Sequence, residues 1–331
     1  MTVAPPTSRR VVRFTRFGPP EVLETATEPL PELGPTDVVV AVGAVGVNFA
    51  DTMVRRGEYR RDQTVPFVPG VEAVGTVAWA PPGSDLAVGS AVAVFLEDGG
   101  GYTDLAVARR DRVFPVPADL DPVTVAGSFL QGITAWYALD RHGRTRAGDT
   151  VLVTAASGGV GGMAVQLAVD AGATVIGTAS TAGKRDEAVE LGCRAALDAQ
   201  DPGFGARVRE LTGGRGVDVV VDGVGGPVFT VALDALGHNG RYVVVGSASQ
   251  QPATFDARRL MPRAQTVSGF ILRRIMDSDP DEPGRAIAHV LDRVAAGVVG
   301  LRTTTFGLDE AAHVHTLIEE RRTLGKICLL P

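Results

Sequence analysis

The residues with the most recognisable chemical spacing are glycines in the segment TAASGGVGG, Thr154–Gly162. The segment follows the apolar run VLV and opens a stretch with the composition of a helix, and a second strand-like run, ATVIG, comes after it. Glycine allows a tight turn and lets backbone amides approach an anion, which would lie at the positive end of the helix. We therefore expect Ser157, Gly158, Gly159 and Val160 to bind the pyrophosphate of a dinucleotide. The alternative is an ordinary tight turn in an α/β sheet.

The end of the next predicted strand indicates which dinucleotide binds. An acidic residue about 20 positions after the glycine turn would bind the adenosine ribose and favour NAD. Residues 177–181 (GTAST) hold small hydroxyls instead, and Lys184 and Arg185 follow them. Hydroxyls and cations suit a 2′-phosphate, so Thr178, Ser180 and Lys184 are predicted contacts of NADPH. The alternative for the two cations is a solvated helix start.

Two further strand ends carry glycine and lie where ligands bind in parallel sheets. These are Gly223 and Val224, within DGVGG, and Gly246 and Ser247, within VGSA. Because the carboxyl ends of parallel strands meet at one edge, we expect both to border the nicotinamide ribose and the nicotinamide. Ordinary glycine-rich turns remain the alternative.

The elements that must position these residues change character along the chain. From about residue 9 to 119, short apolar runs separated by Gly/Pro turns predict a small barrel-like β domain. From about residue 126, helical stretches alternate with continuous Val/Ile/Leu runs, which is typical of a parallel sheet covered by helices. The fold class is therefore α/β, a β-rich domain plus a doubly wound cofactor domain. After about residue 269 two helices, 285–297 and 309–321, and a strand, 326–330, are expected to pack back onto the N-terminal part.

Composition excludes several classes of protein. The net charge of −6 argues against nucleic acid as a partner, because phosphate binding needs a positive surface. No run is long and apolar enough to span a membrane, and the N-terminus has no apolar signal region. Two cysteines, Cys193 and Cys328, support neither a disulfide framework nor a thiolate zinc cage. We expect a cytoplasmic protein that binds neither membrane nor nucleic acid.

At this point the chain resembles the zinc-free medium-chain dehydrogenase/reductases, in particular the quinone oxidoreductase (zeta-crystallin-like) group. The resemblance covers nearly the whole chain and rests on the glycine turn and on four segments: GVNFADTMVRRGEY (46–59), VPFVPGVEAVGTV (65–77), FLQGITAWYAL (129–139) and RRTLGKICLLP (321–331). It implies a GroES-like catalytic domain built from both chain ends, residues 1–130 and 269–331, around a Rossmann NADPH-binding domain, residues 131–268. It also implies a homodimer, often formed through a late Rossmann strand near 241–245.

The zinc-binding members of the same superfamily carry ligands that this chain lacks. Their Cys ligand would fall within Gly46–Asp51, where no cysteine occurs, and Val71 stands where they have a histidine. His313 and His315 are two positions apart, so on a helix they face different ways. We therefore expect no metal site.

Without a metal, neutral hydrogen-bond donors must stabilise the charge that develops in hydride transfer. By the resemblance, Asn48 is the leading candidate, donating to a substrate carbonyl or to the nicotinamide ribose; a turn residue is the alternative. Asp51 is expected to orient a neighbour or to cap a helix, and Tyr59 to line the substrate entrance or to lie on the surface.

Further cofactor contacts are also predicted by the resemblance. Thr134 and Lys326 match family positions near the cofactor, although a helix start and a solvated lysine are their alternatives. Phe270 and Leu272 complete the predicted cofactor contacts.

The resulting hypothesis is an NADPH-dependent reductase that transfers hydride to a small hydrophobic quinone or α,β-unsaturated carbonyl. One alternative is an enoyl reductase acting on an acyl or polyketide thioester. A second is an NADPH-binding or nucleic-acid-binding protein without turnover; the acidic charge counts against nucleic acid.

Overall fold

The computed structural model describes residues 4–59, 62–278 and 282–331. Its strands are β1 (Ser8–Arg13), β2 (Glu24–Pro29), β3 (Asp37–Val47), β4 (Glu72–Trp79), β5 (Ala91–Phe95), β6 (Leu105–Arg109), β7 (Val113–Pro115), β8 (Thr150–Val153), β9 (Thr174–Ala179), β10 (Ala195–Asp198), β11 (Val217–Asp222), β12 (Leu236–Val244), β13 (Thr266–Gly269), β14 (Thr303–Gly307) and β15 (Lys326–Leu330).

The helices are α1 (Phe49–Arg56), α2 (Pro122–Trp136), α3 (Gly159–Asp170), α4 (Ala182–Glu190), α5 (Phe204–Leu211), α6 (Pro227–Ala235), α7 (Leu272–Ser278), α8 (Glu282–Ala295) and α9 (Ala311–Glu319). A π-helical segment, Tyr137–His142, continues α2. Within the described ranges, no helix is long and apolar enough to cross a membrane.

The chain divides into two compact units, residues 1–130 with 302–331, and residues 131–301. The first boundary lies where the sequence predicted it, but the second lies after residue 301 instead of after residue 268. Helix α8 explains the difference, because it packs inside the second unit. Arg293 of α8 forms an ion pair with Asp170 at 2.7 Å, and Gln166 bonds both backbone groups of Gly300.

The second unit is built on a six-stranded sheet in the order β10-β9-β8-β11-β12-β13. Every pair in it is parallel, and the order reverses between β8 and β11, as in a doubly wound fold. The inner strands β8, β9 and β11 are buried over nearly their whole length, which explains their continuous apolar sequences. The predicted dinucleotide-binding architecture is therefore confirmed.

The first unit contains a sheet in the order β14-β15-β3-β4-β5-β7, with β6 also paired to β3, and the hairpin β1-β2. The C-terminal strand β15 pairs antiparallel with β3, placing Cys328 opposite Gly46. The chain end thus completes the N-terminal sheet, as the sequence predicted. Buried valines of β3, β4 and β5 form the core with α9 and β15.

Some elements differ from the sequence prediction. Helix α2 begins at Pro122, slightly ahead of residue 126, from which helical stretches were expected, because Pro at the first helical position suits a helix N-terminus. Strand β10 and helix α5 carry weak patterns and were not predicted. Neither carries a predicted site residue.

Candidate active site

The glycine turn between β8 and α3 has the backbone of an anion-binding site. Ala155 adopts a left-handed conformation, with φ of 49°, which redirects the chain after the strand. A Cβ on Gly161 would overlap the carbonyl oxygen of Ala155, so a larger residue does not fit there. Among the described residues no side chain caps α3, and the first amides of a helix have no acceptor within it. The amides of Gly159 and Val160 are thus presented at the helix terminus.

The carboxyl end of β9 holds the predicted hydroxyls. Thr178 is fully buried, and its Oγ1 has no hydrogen-bond partner among residues 4–59, 62–278 and 282–331. Thr181 caps α4, accepting from the Lys184 amide at 3.3 Å, so Lys184 stands in the first turn of that helix. Arg185 is held by Asp198, 3.1 Å away, at the end of β10. Arg185 therefore has an acidic partner in the neighbouring strand.

The carboxylate of Asp222, at the end of β11, connects two of the predicted loops. Its oxygens accept from Thr154 Oγ1 and Tyr242 Oη, both at 2.7 Å, and from the amides of Val224 and Gly225. Burial, and then the charge of Asp222, raise the pKa of the Tyr242 hydroxyl, so this hydroxyl stays a donor. Asp222 therefore fixes the ends of β8 and β11 together.

Asp222 begins the predicted segment DGVGG, but its role as an acceptor that joins two strand ends was not predicted. The loop after β12 lies against the loop after β11. A Cβ on Gly246 would come 3.1 Å from the Gly223 carbonyl oxygen, and the amide of Ala248 donates to that oxygen. The structure thus brings the predicted pairs Gly223–Val224 and Gly246–Ser247 together at one sheet edge.

Three predicted cofactor contacts lie elsewhere in the second unit. The ring of Phe270, just after β13, stacks on His142 with centroids 4.7 Å apart. Leu272 is buried at the start of α7, and Thr134 is half-buried in α2. Their assignment to the cofactor stays a prediction.

In the first unit, Asn48 is held by a buried ion pair. Lys326 Nζ lies 2.9 Å from Glu72 Oε1 and donates to Asn48 Oδ1 at 2.9 Å. Asn48 Nδ2 donates to Glu72 Oε1 at 3.0 Å and to the Gly46 carbonyl at 3.2 Å. Lys326 is only 4% exposed, so the solvated-lysine alternative is wrong. Both amide hydrogens of Asn48 have acceptors in the protein, and a bond from Asn48 to a substrate would replace one of them.

Asp51 is a buried carboxyl group beside this cluster. Its Oδ2 accepts from the Asn48 amide at 2.8 Å, and so Asp51 caps the start of α1, one of its two predicted roles. Its Oδ1 has no partner in the described part of the chain. Burial raises the pKa of Asp51 to about 7, against lowering by the Asn48 amide and by Lys326.

A small pocket in the first unit brings two of the predicted catalytic residues together. It is lined by Asp51, Val54, Tyr59, Phe67, Gly70, Val71, Glu97 and Gly99. Tyr59 is 47% exposed, so it lies at the entrance, while Asp51 is fully buried at the inner wall. The predicted role of Tyr59 at the substrate entrance stays a prediction.

Behind Asp51 lies a buried polar cluster that sequence reasoning missed. Tyr102 Oη is 3.4 Å from Asp51 Oδ2 and 2.9 Å from His315 Nε2. His315 Nδ1 is 3.2 Å from an Nη of Arg55, whose side chain also bonds Glu319. Burial, then the charge of Arg55, lower the pKa of His315 to about 3, so its ring is neutral. No local pattern connects these residues.

Two family models match the chain. Residues 34–118 match the alcohol dehydrogenase GroES-like domain, and residues 159–289 match the zinc-binding dehydrogenase model. A 2-haloacrylate reductase from a Burkholderia species is 37% identical over 312 residues, covering 90% of this chain and 92% of its own. A quinone oxidoreductase from Pseudomonas aeruginosa is 33% identical, covering 97% and 99%. The chain belongs to the quinone oxidoreductase branch of the medium-chain dehydrogenase/reductases.

This medium-chain reductase also matches solved structures over nearly its full length. A mycobacterial structure complexed with NADPH superposes with a TM-score of 0.91 at 33% identity, covering 97% of this chain and 100% of the other. The GroES-like and Rossmann-type folds predicted from the sequence are confirmed.

The reductase matches a zinc-binding family model, yet its described residues form no cluster that could bind a metal ion. Among residues 4–59, 62–278 and 282–331, no group of three or more His, Cys, Asp or Glu side chains is placed to hold an ion. Cys328 is buried and its Sγ lies 3.9 Å from the Val123 carbonyl oxygen. Zinc independence stays a prediction.

Proposed function

We propose that the protein is an NADPH-dependent reductase that transfers hydride to a quinone or an α,β-unsaturated carbonyl compound. The observation that carries the proposal is the carboxyl end of β9. A buried hydroxyl without a partner in the described chain, Thr178, stands there together with Ser180, where an NAD-binding relative would hold a carboxylate. Lys184 adds a cation in the next helical turn.

The residues present fit the cofactor. The amides of Gly159 and Val160 would hold the pyrophosphate, and Thr178, Ser180 and Lys184 would hold the adenosine ribose and its 2′-phosphate. When bound, NADPH supplies a hydride from its nicotinamide ring. The mycobacterial relative, 33% identical, is complexed with NADPH, which supports this choice.

The substrate class rests on the first unit and on two relatives. The pocket beside Asp51 has a volume of about 20 Å³, which is room for one water molecule, and Val54, Phe67 and Val71 are apolar groups at its border, so it can border a small hydrophobic acceptor but does not enclose one. Quinones and 2-haloacrylates, after which the relatives are named, share a conjugated electron-poor carbon–carbon double bond. The carboxyl group of Asp51 is one of three ionisable groups at this pocket, with Tyr59 and Glu97.

Cofactor choice is tested by steady-state kinetics. We expect kcat/KM for NADPH to exceed that for NADH at least tenfold. Lys184→Ala should raise the KM for NADPH about 10-fold, because a charge-assisted hydrogen bond is worth roughly 1.5–3 kcal/mol, and should leave NADH unaffected. Arg207→Ala, which removes an exposed cation paired with Glu210, is the matched control and should change neither. A preference for NADH would refute the assignment.

The substrate class is tested with a panel of acceptors: 9,10-phenanthrenequinone, an enone, 2-chloroacrylate and an enoyl thioester. We expect NADPH oxidation with the quinone or the enone. Turnover confined to the thioester would favour the enoyl reductase alternative. No oxidation with any acceptor would favour an NADPH-binding protein without turnover.

We also propose that the protein is a homodimer, as its resemblance to the quinone oxidoreductases implies. Light scattering of the purified protein would give twice the chain mass of 34.4 kDa. A mass of one chain at micromolar concentration would refute the dimer.

A further inference from the structure

The direction of each hydrogen bond in the cluster behind Asp51 is set by Arg55. Its guanidinium is buried, donates to the Gly18 carbonyl at 3.0 Å and pairs with Glu319. A guanidinium has hydrogens to donate and no acceptor, so at 3.2 Å it must donate to His315 Nδ1. A neutral imidazole carries one hydrogen, and this one must then be on Nε2.

The same direction continues from His315 to Asp51. Nε2–H of His315 donates to Tyr102 Oη at 2.9 Å, which leaves the tyrosine hydrogen for Asp51 Oδ2 at 3.4 Å. The Asn48 amide donates to the same Oδ2 at 2.8 Å. Asp51 Oδ2 therefore accepts two hydrogens, and the neutral carboxyl group must carry its own hydrogen on Oδ1.

Oδ1 is the oxygen that has no partner in the described structure, on a residue that lines the pocket. The charged and titratable groups around Asp51 come from two strands and from the segment between β5 and β6. Lys326 and Glu72 act on it from β15 and β4, Tyr102 contacts it, and Glu97 lines the same pocket. Because Lys326 and Glu72 carry opposite charges, Lys326 lowers the pKa of Asp51 and Glu72 raises it.

We propose that Asp51 is the proton donor of the reduction, with its hydrogen held on Oδ1 by the directed chain Arg55–His315–Tyr102. The proposal rests on the proposed function. The hydride forms a C–H bond at the β-carbon of the enone, and the π electrons of the carbon–carbon bond shift towards the carbonyl oxygen. Because the pocket at Asp51 has room for one water molecule, the O–H bond of Asp51 breaks as its proton passes to that water, and a proton of the water forms the O–H bond on the carbonyl oxygen, giving the enol. The substrate is reduced, the nicotinamide is oxidised, and Asp51 is left as a carboxylate.

The carboxylate left on Asp51 is stabilised by two hydrogen-bond donors and is then protonated again from solvent. Tyr102 and the Asn48 amide both donate to it, and the proton is regained from solvent through the pocket, whose border includes exposed Tyr59. A pKa of about 7 keeps Asp51 partly protonated at neutral pH, as a general acid requires. Asp51 is thus a catalytic residue, while Tyr102 and His315 are positioning residues.

The hydrogen positions are tested on the protein without cofactor or substrate. We expect ¹⁵N NMR to show His315 neutral, with its hydrogen on Nε2, down to pH 5. We also expect an infrared carboxylic-acid band at pH 6 that is lost in Asp51→Asn. A hydrogen on Nδ1, a protonated ring at pH 6, or an unchanged band in the variant would overturn the proposal.

Kinetics test the catalytic role. Asp51→Asn should lower kcat by roughly 10²–10⁴, the usual contribution of general acid catalysis, with an unchanged KM for NADPH. It should also abolish the fall of kcat/KM above about pH 7. Asp121→Asn removes a carboxylate that caps α2 in the same unit, and it should leave kcat unchanged.

Tyr102→Phe is a second variant, and it tests the proposal even if the Asp51→Asn protein does not fold. The tyrosine hydrogen bond lowers the pKa of Asp51, so its loss should move the high-pH fall of the rate to higher pH. An unmoved pH profile in Tyr102→Phe, or a wild-type kcat in Asp51→Asn, would overturn the donor role while leaving the proposed function standing. No NADPH oxidation by the wild-type protein with any acceptor would overturn both.

Discussion

The buried ion pair that holds Asn48 offers the sharpest test of the structure. Lys326→Met removes the ammonium and keeps most of the volume of the side chain. Glu72 is fully buried and would keep its hydrogen bonds from Asn48 Nδ2 and the Leu130 amide, but it would lose its counter-ion. A charge left buried without its counter-ion is strongly unfavourable.

The magnitude follows from the geometry. At 2.9 Å and an effective dielectric constant of 20, the Coulomb attraction of Lys326 and Glu72 is about 6 kcal/mol. This attraction opposes a desolvation cost of several kcal/mol for each ion, so the pair itself adds little net stability. Removing one partner loses the attraction but keeps the other ion buried. We expect Lys326→Met to lower the free energy of unfolding by about 3–5 kcal/mol.

The assay is urea unfolding followed by fluorescence and circular dichroism, in a double-mutant cycle with Glu72→Gln. The double variant should lose less stability than Lys326→Met, because it leaves no uncompensated charge. Arg207→Met breaks an exposed ion pair with Glu210 and should change stability by less than about 1 kcal/mol. A loss below about 1 kcal/mol in Lys326→Met, or additive losses in the double variant, would refute the account of the buried pair.

Three other changes have defined outcomes. The pKa of His315 lies near 3 in the folded protein and 6.5 outside it, so stability should fall by up to about 5 kcal/mol as pH drops from 6.5 to 3. His315→Gln should remove that part of the slope in urea titrations at stepped pH. Gly161→Ala should lower the free energy of unfolding by about 1–3 kcal/mol, because its Cβ overlaps a backbone carbonyl, and should weaken NADPH binding measured by calorimetry. Gly284→Ala is the control and should not lower stability, because a Cβ there meets open space. Asp222→Asn should lower the free energy of unfolding, measured by thermal unfolding, by about 2–4 kcal/mol, because an NH₂ group would then face the N–H and O–H donors that now bond the carboxylate. Asp218→Asn should lower it less, because one backbone amide donates to Asp218.

Asp51 contributes to the same pH titration with the opposite sign. Its pKa is raised from 3.8 to about 7, so the folded protein binds more protons than the unfolded chain between these values. Stability from this group is therefore lost as pH rises through that window. Asp51→Asn should therefore make the free energy of unfolding fall more steeply as pH drops below 6.5. If Asp51→Asn or His315→Gln leaves this slope unchanged, the pKa given for the substituted residue is wrong.

Much of the fold was predictable because its signals are local. Continuous apolar strands alternating with helices predicted the parallel sheet, and the glycines of Thr154–Gly162 predicted the turn that joins β8 to α3. The lack of a carboxylate after β9, which predicted NADPH, can also be read from a few neighbouring residues. The boundary after residue 301 was not predictable, because it depends on where α8 packs, which neither its amphipathic pattern nor its position in the chain specifies.

What the sequence alone determined is therefore the class of fold and the kind of cofactor, since both depend on neighbouring residues. What only the tertiary structure decided is the state of the polar groups in the first unit. Arg55 and His315 are 260 positions apart, and Asp51 and Tyr102 are 51 apart, yet they form one buried chain. Burial and partners shift a pKa and fix the direction of a hydrogen bond, and both are set by residues that meet only when the two ends of the chain fold together.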